Sequence, residues 1–187
     1  LNSQLQTLSR VINSKNSLPI LDCILFEVAD GKLTLTASDK ENVMTVVLAL
    51  DACEGTGAFA LPKNMVLDAV KELPEQPLAF DVNEQTYALS LYYQNGVYQF
   101  VAQSGAEFPK AKAPEQGVTT LNIAVPVLAE NITRSLFATA QDELRPVMNG
   151  IYFDLTPDSL AIVASDGHKL VRNRNFTVKS ETPAAFI

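Results

Sequence analysis

Several things are scarce in this chain, and each scarcity closes off a class of function. Among 187 residues there are two cysteines, Cys23 within ILDCILFEV and Cys53 within LDACEGTG, too few and too differently placed for a disulfide framework. Both are expected to be reduced, with Cys23 buried in its apolar run. No apolar stretch approaches the roughly 20 residues needed to cross a bilayer, and no charged-then-apolar signal segment opens the chain. A cytoplasmic protein without a membrane partner is the expectation. Basic residues are also short: 14 Lys and Arg stand against 21 Asp and Glu, a net charge of −7. That balance opposes gripping nucleic acid by bulk charge, which requires a basic surface. One histidine and no CxxC pair leave little from which to build a metal sphere, so no cofactor or metal is expected.

What the chain does have is material for a core. Apolar residues make up 47% of it, enough for one large domain or two small ones. The arrangement is a repeat. Residues 18–41, LPILDCILFEVADGKLTLTASDKE, run parallel to residues 145–168, RPVMNGIYFDLTPDSLAIVASDGH, and Pro19 aligns with Pro146 at an offset of 127 (146 minus 19). Without a gap the same offset pairs Phe26 with Phe153, Leu33 with Leu160, Ala37 with Ala164, Ser38 with Ser165 and Asp39 with Asp166. A period of that size is a whole module, far longer than a solenoid repeat.

Periodicity supplies the elements. Leu1, Leu5, Leu8 and Ile12 recur at helical spacing, as do Val125, Leu128, Ile132 and Leu136, with Pro126 where a first helical turn tolerates it. A second helix is expected within residues 61–74, LPKNMVLDAVKELP, with Val66, Ala69, Val70 and Leu73 as its stripe and Pro74 as its stop. Leu33, Leu35 and Ala37 alternate with Thr34, Thr36 and Ser38, the pattern of a strand with one buried face. Asp30-Gly31 and Asn95-Gly96 mark hairpins. Residues 106–117, AEFPKAKAPEQG, have linker composition. The fold class is therefore α+β, in tandem modules each of helices packed on antiparallel sheets, one at residues 1–116 and one at 117–187. Residues 119–123, TTLNI, suit a strand opening the second module. The first module has no counterpart to it, and the second ends where the copy of residues 61–74 is due, so a fragment with an incomplete second module is expected.

The segments SKNSLPILDCILFEVADGKLTLTASDKE, GAFALPKNMVLDAVKELP, EFPK and DELRPVMNGIYFD, followed by ASDGHKL, resemble the bacterial DNA polymerase III beta subunit family, the sliding clamps, over essentially the whole chain. The resemblance implies the DNA clamp fold: three modules per chain, closing head to tail as a homodimer around duplex DNA, helices inward and sheets outward. A clamp tethers the polymerase and catalyses nothing itself, although the holoenzyme it serves is a nucleotidyltransferase. It implies partners as well: double-stranded DNA, the DNA polymerase III alpha subunit, the clamp loader and other proteins carrying a clamp-binding motif. A ring needs only enough Lys and Arg in its lining to favour phosphates. On the candidate helices these are Arg10, Lys63, Lys71 and Arg134, which can equally be ordinary surface cations. Lys15 occupies the family's DNA-contacting loop, and Gln141 stands in the corresponding second loop. Pro146 and Val147 stand where some clamps carry aromatic residues. The family's peptide pocket maps onto Arg145, Met148, Ser165, Gly167, His168, Lys169 and Leu170, with Met148 as a pliable surface and Gly167 allowing close approach. Lys169 replaces the arginine of some clamps. The plainer alternative makes Met148 and Leu170 core residues. Phe100 in VYQFVAQS resembles the ring-closing strand, and the pattern alone also fits an inward-facing strand residue.

Two rivals remain. Asp166 and His168, two apart, could ligate a metal or serve as an acid/base pair in a hydrolase. The first copy reads Asp39-Lys40-Glu41 at that place, keeping the acid and not the histidine, which suggests a turn held by side-chain to backbone hydrogen bonds. The other rival is a purely structural tandem β-module such as a surface adhesin.

Overall fold

Strand β1 (Cys23–Ala29) is buried on both faces along its first half, and the first sheet is organised around it. The structure is a computed structural model that describes residues 1–12, 16, 18–109, 120–142 and 144–187. Contacts divide the chain between Lys112 and Ala113 into two units.

In the first unit β1 lies between β2 (Lys32–Ser38) and β4 (Gly57–Pro62), with β3 (Val43–Ala49) beyond β2. On one face Ile24 and Phe26 join Leu33, Leu35, Ala37, Phe59 and Leu61 in the main core. On the other, Cys23 and Leu25 pack with Ile20, Leu21, Ala60 and Phe108. Successive strand residues point to opposite faces, so a strand covered on both sides reads as a continuous apolar run. Helices α1 (Asn2–Leu8) and α2 (Lys63–Lys71) contact each other and press Leu5, Leu8, Val66 and Val70 into the same core. A separate sheet of β5 (Ala79–Val82), β6 (Ala88–Tyr93) and β7 (Gly96–Val101) adds Leu89 and Leu91 to it, and the short β8 (Gln103–Ser104) returns to the edge of β4.

The second unit holds α3 (Val125–Leu136) and a sheet in the order β11 (Leu170–Asn175), β10 (Leu160–Ser165), β9 (Tyr152–Leu155), β12 (Ala184–Phe186). It reproduces β3-β2-β1-β4 residue for residue. Phe26 opposite Leu35 becomes Phe153 opposite Ile162, and Ala37 opposite Met44 becomes Ala164 opposite Val171. Phe26 opposite Phe59 becomes Phe153 opposite Phe186; the first pair of rings stacks at 5.1 Å and the second at 5.0 Å. The 3₁₀ turns Pro19–Asp22 and Pro146–Asn149 also correspond. A strand slip of one residue would turn every side chain to the wrong face, so matching register means that the same burial problem is solved twice.

Five expectations shift. The first helix ends at Leu8, and Ile12 is buried from the turn beyond it. α2 is confined to Lys63–Lys71, with Leu73 in the turn that follows. In α3 the expected stripe is wrong at both ends: Val125 is 76% and Leu136 57% exposed, while Asn131 and Ser135 are buried. The polar pair is tolerated because Asn131 Nδ2 donates to the Val127 carbonyl, Ser135 Oγ donates to that of Asn131, and Asn173 Nδ2 of β11 donates to Ser135 Oγ. In the β6–β7 hairpin the turn residues are Gln94 and Asn95, because Gly96 pairs with Tyr93 as a strand residue. Its missing side chain makes room for Tyr93, whose Oη would lie 2.6 Å from a Cβ there. Finally, the described part of 119–123 is not a strand: Leu121 and Ile123 pack on the second unit's core without a ladder partner among the described residues.

Candidate functional site

The turn between β10 and β11 gathers five of the residues singled out in the sequence. Ser165 Oγ accepts from the Gly167 N–H at 3.1 Å and donates to the Lys169 carbonyl at 2.8 Å. Asp166 Oδ1 accepts from the His168 and Lys169 N–H groups at 2.9 and 2.7 Å. These bonds, with the Lys169 ammonium 3.1 Å from Oδ2, hold the Asp166 carboxyl far below the usual carboxylate range. The first unit builds the same turn: Ser38 Oγ accepts from Lys40 N, and Asp39 Oδ1 from Glu41 N and Asn42 N. The residue after the aspartate is left-handed in both, Lys40 at φ 83° and Gly167 at φ 90°. Glycine adopts that conformation without strain.

Asp166 is therefore occupied as a turn former. No cluster of three or more His, Cys, Asp or Glu among the described residues is placed to hold a metal, and His168 is exposed. The donor set of the hydrolase reading is not assembled.

The turn is braced from below. Lys169 Nζ donates to the Phe137 carbonyl at the C-terminal end of α3 and lies 6.0 Å from the Phe137 ring centre. A cation there satisfies an orphan carbonyl and complements the helix dipole. Arg145 is held by Asp142, Nε to Oδ2 at 2.8 Å, and its Nη1 reaches to 3.1 Å from where a Gly167 Cβ would stand. Met148 is half-buried, and its carbonyl accepts from the Ala140 N–H. Leu170 is 73% exposed, which removes the reading that makes it a core residue. The result is a shallow wall: an open glycine backbone, a guanidinium, a soft thioether and an exposed leucine.

Two groups in this region escaped the sequence reading. Asp142 and Asn149 clasp each other, Asp142 N to Asn149 Oδ1 at 2.9 Å and Asn149 Nδ2 to Asp142 O at 3.2 Å, and so fix the loop that carries Arg145. A pair seven residues apart in an irregular loop leaves no periodic signal. Arg172 and Arg174, exposed on β11 beside Leu170, were legible from strand alternation.

The expected DNA-facing residues fall in both units. Arg10 is exposed in the turn after α1. Lys63 opens α2, and its ammonium donates to the Ile12 carbonyl at 2.9 Å. Lys71 is paired with Asp68 at 2.8 Å and lies 3.9 Å from Glu72, which raises its pKa. Arg134 is paired with Glu130 at 2.6 Å. Gln141 is exposed beside a depression it shares with Leu136, Thr139, Asp142 and Asn149. Lys15 lies outside the described residues. Phe100 is half-buried against the first core, 6.2 Å from the ring of Tyr98, so its ring faces inward. It sits on β7, an edge strand whose far side has no ladder partner among the described residues.

The chain is 31% identical to the beta sliding clamp of Synechococcus elongatus over 99% of its own length and 48% of that protein's. It is 29% identical to the beta sliding clamp of Escherichia coli K12, over 89% of itself and 45% of the relative. The structure superposes with a TM-score of 0.88 on a Pseudomonas aeruginosa sliding clamp, DNA polymerase III subunit beta, solved bound to griselimycin, at 25% identity and covering 99% of this chain and 50% of that one. The chain thus spans about half the length of the curated relatives it matches. Residues 1–111 match the family described as DNA polymerase III beta subunit, N-terminal domain, and residues 122–187 match its central domain. The chain belongs to the DNA polymerase III beta subunit family.

Proposed function

We propose that this protein acts as a sliding clamp, the processivity factor of a replicative DNA polymerase. The observation that carries the reading is the residue-for-residue repetition of ladder, turn and ring stack at an offset of 127, within two units that match the N-terminal and central domains of one clamp family. A ring assembled from such modules holds duplex DNA by topology, so the net charge of −7 is no obstacle. The lining needs only scattered cations that favour phosphates without reading bases. Arg10, Lys15, Lys63, Lys71 and Arg134, with Gln141, supply that contact. The residues 1–116 and 117–187 are its first two modules. The protein is a homodimer in its closed state, joined along the free edge of β7, with Phe100 packed beneath that edge. It performs no chemistry and serves a polymerase that does.

The wall formed by Arg145, Met148, Ser165, Gly167, His168, Lys169 and Leu170 is a docking site for short apolar peptide motifs of the polymerase alpha subunit, the clamp loader and repair proteins. The griselimycin-bound relative supports a ligand site within this family. Exposure of Leu170 beside a glycine backbone supports its placement. The decisive experiment loads the protein on nicked circular DNA and then linearises it. Retention on the circle and loss from the linear molecule is the expected outcome; equal retention on both sinks the proposal.

A further inference from the structure

The chain contains two Asn-Gly steps, Asn95-Gly96 and Asn149-Gly150, and the fold puts them in opposite states. An asparagine followed by glycine can be attacked by its own backbone, because no side chain shields the next main-chain nitrogen. What decides the outcome is whether the amide can turn.

Asn149 is held. Its Oδ1 accepts from the Asp142 N–H at 2.9 Å and its Nδ2 donates to the Asp142 carbonyl at 3.2 Å, so both ends of the amide are engaged. Ile187 also lies against the Gly150 backbone, on the side where a Cβ would stand. Asn95 has none of these restraints. It forms the tip of the β6–β7 hairpin with Gln94, both exposed, and among the described residues no hydrogen bond, ion pair or ring contact holds its side chain. Gln76 Oε1 accepts from the Gln94 N–H at 2.8 Å, one residue before the reactive step. Gly96 is the last rung of the ladder, opposite Tyr93, and end rungs open before interior ones.

We propose that Asn95 is a site of spontaneous covalent modification, at which the hairpin tip converts to a succinimide and then to aspartate or isoaspartate. The Gly96 nitrogen gives up its proton to hydroxide and attacks Asn95 Cγ; the new C–N bond closes a five-membered ring, and the bond from Cγ to Nδ2 breaks as ammonia leaves. Water then opens the ring at either carbonyl. One opening leaves an aspartate at position 95 and the other a main chain longer by a methylene, with nothing oxidised or reduced.

The tip has little room for that methylene. Tyr93 fills the space that Gly96 leaves, its Oη 2.6 Å from where a Cβ would stand, and its ring stacks on Tyr98 at 5.2 Å. Lengthening the backbone between the two strands, with a carboxylate added, displaces this rung and separates the tyrosines. The hairpin therefore loosens from its tip.

The test ages the full chain in mildly alkaline buffer, native and in urea, and follows each Asn-Gly step by peptide mass spectrometry. Methyl transfer from S-adenosylmethionine by an isoaspartyl methyltransferase scores the iso form. In the native protein Asn95 should convert about tenfold or more faster than Asn149, whose two hydrogen bonds must break first, and the rate should climb with pH. In urea the two rates should converge. Hydrogen exchange of the aged native protein should quicken in residues 93–98 and not in β9 or β10. An Asn95→Gln variant, its side chain a carbon too long for the five-membered ring, should stay unmodified at the tip and keep its exchange rates. Equal native rates at the two steps, or a difference that persists in urea, overturn the assignment. Conversion at Asn95 without faster exchange in the hairpin overturns its structural effect.

Discussion

Asp39 and Asp166 perform the same task 127 residues apart: each Oδ1 accepts the main-chain N–H groups two and three residues ahead and closes the turn between two strands. The equivalence separates what the acid does from what its neighbours do. Asp is kept because the turn requires an acceptor at that point. Glycine, histidine and lysine after Asp166 are free to serve another purpose, because Lys40, Glu41 and Asn42 support the same turn in the first unit.

The shared turn makes stability depend on acid in a defined direction. Both carboxyls titrate below their ordinary range, chiefly because main-chain N–H groups bond the ionised form. A folded-state pKa below the unfolded one contributes stability above the unfolded value of about 4, which is lost as pH falls through the folded value. The Asp39→Asn/Asp166→Asn protein should therefore lose less thermal stability than the parent between about pH 6 and about pH 3. Scanning calorimetry across that window checks it; parallel curves would contradict the assignment.

Close packing at one glycine gives a prediction on stability alone. A Cβ on Gly105 would stand 2.7 Å from the Ala58 carbonyl carbon, while one on Gly57 would meet nothing within 4 Å. Gly105→Ala should cost about 1–3 kcal/mol through displaced backbone. Gly57→Ala, in a strand of ordinary conformation, should be neutral or stabilise by up to about 1 kcal/mol. Urea unfolding of the two variants distinguishes them, and a harmless Gly105→Ala would refute the close contact.

The two cysteines should differ sharply in reactivity. Burial, assisted by the nearby charge of Asp22, pushes the Cys23 thiol up to about 11, while Cys53 is exposed. Since the thiolate is the reactive form, iodoacetamide at about pH 8 should label Cys53 alone in the native protein. Labelling of Cys23 should appear only with denaturant, read as a second mass increment. Equal rates in the folded state would show the first sheet to be open.

The proposed DNA lining implies that DNA contact should respond to ion pairing within the helices. Arg10 is exposed after α1, whereas Lys71 is already engaged by Asp68. Arg10→Gln should reduce the slope of log affinity against log salt by about 0.9, the loss of one phosphate contact. Asp68→Asn, which releases Lys71, should strengthen association at low salt. A weakening by Asp68→Asn would remove Lys71 from the lining.

Much of this protein is legible in its residues alone. Alternation of Leu33, Leu35 and Ala37 placed β2, and the repeat located β9, β10 and the turn at Asp166, because period and identity are local properties of the chain. The resemblance identified the family without any coordinates. Tertiary structure decided what depends on neighbours distant in sequence. Leu8 ends α1, although the apolar spacing runs on to Ile12. Asn131 and Ser135, rather than Val125 and Leu136, face the sheet from α3, since Asn173 of β11 offers Ser135 a partner that no local pattern announces. Gly96 belongs to a strand because Tyr93 needs the space across the ladder. Leu170 is exposed and Lys169 is tied to Phe137, so the same short stretch divides into a wall and its brace. A sequence specifies which residues repeat and alternate; which of them meet, and which are left facing solvent, is settled only when burial and hydrogen bonding are satisfied together across the fold.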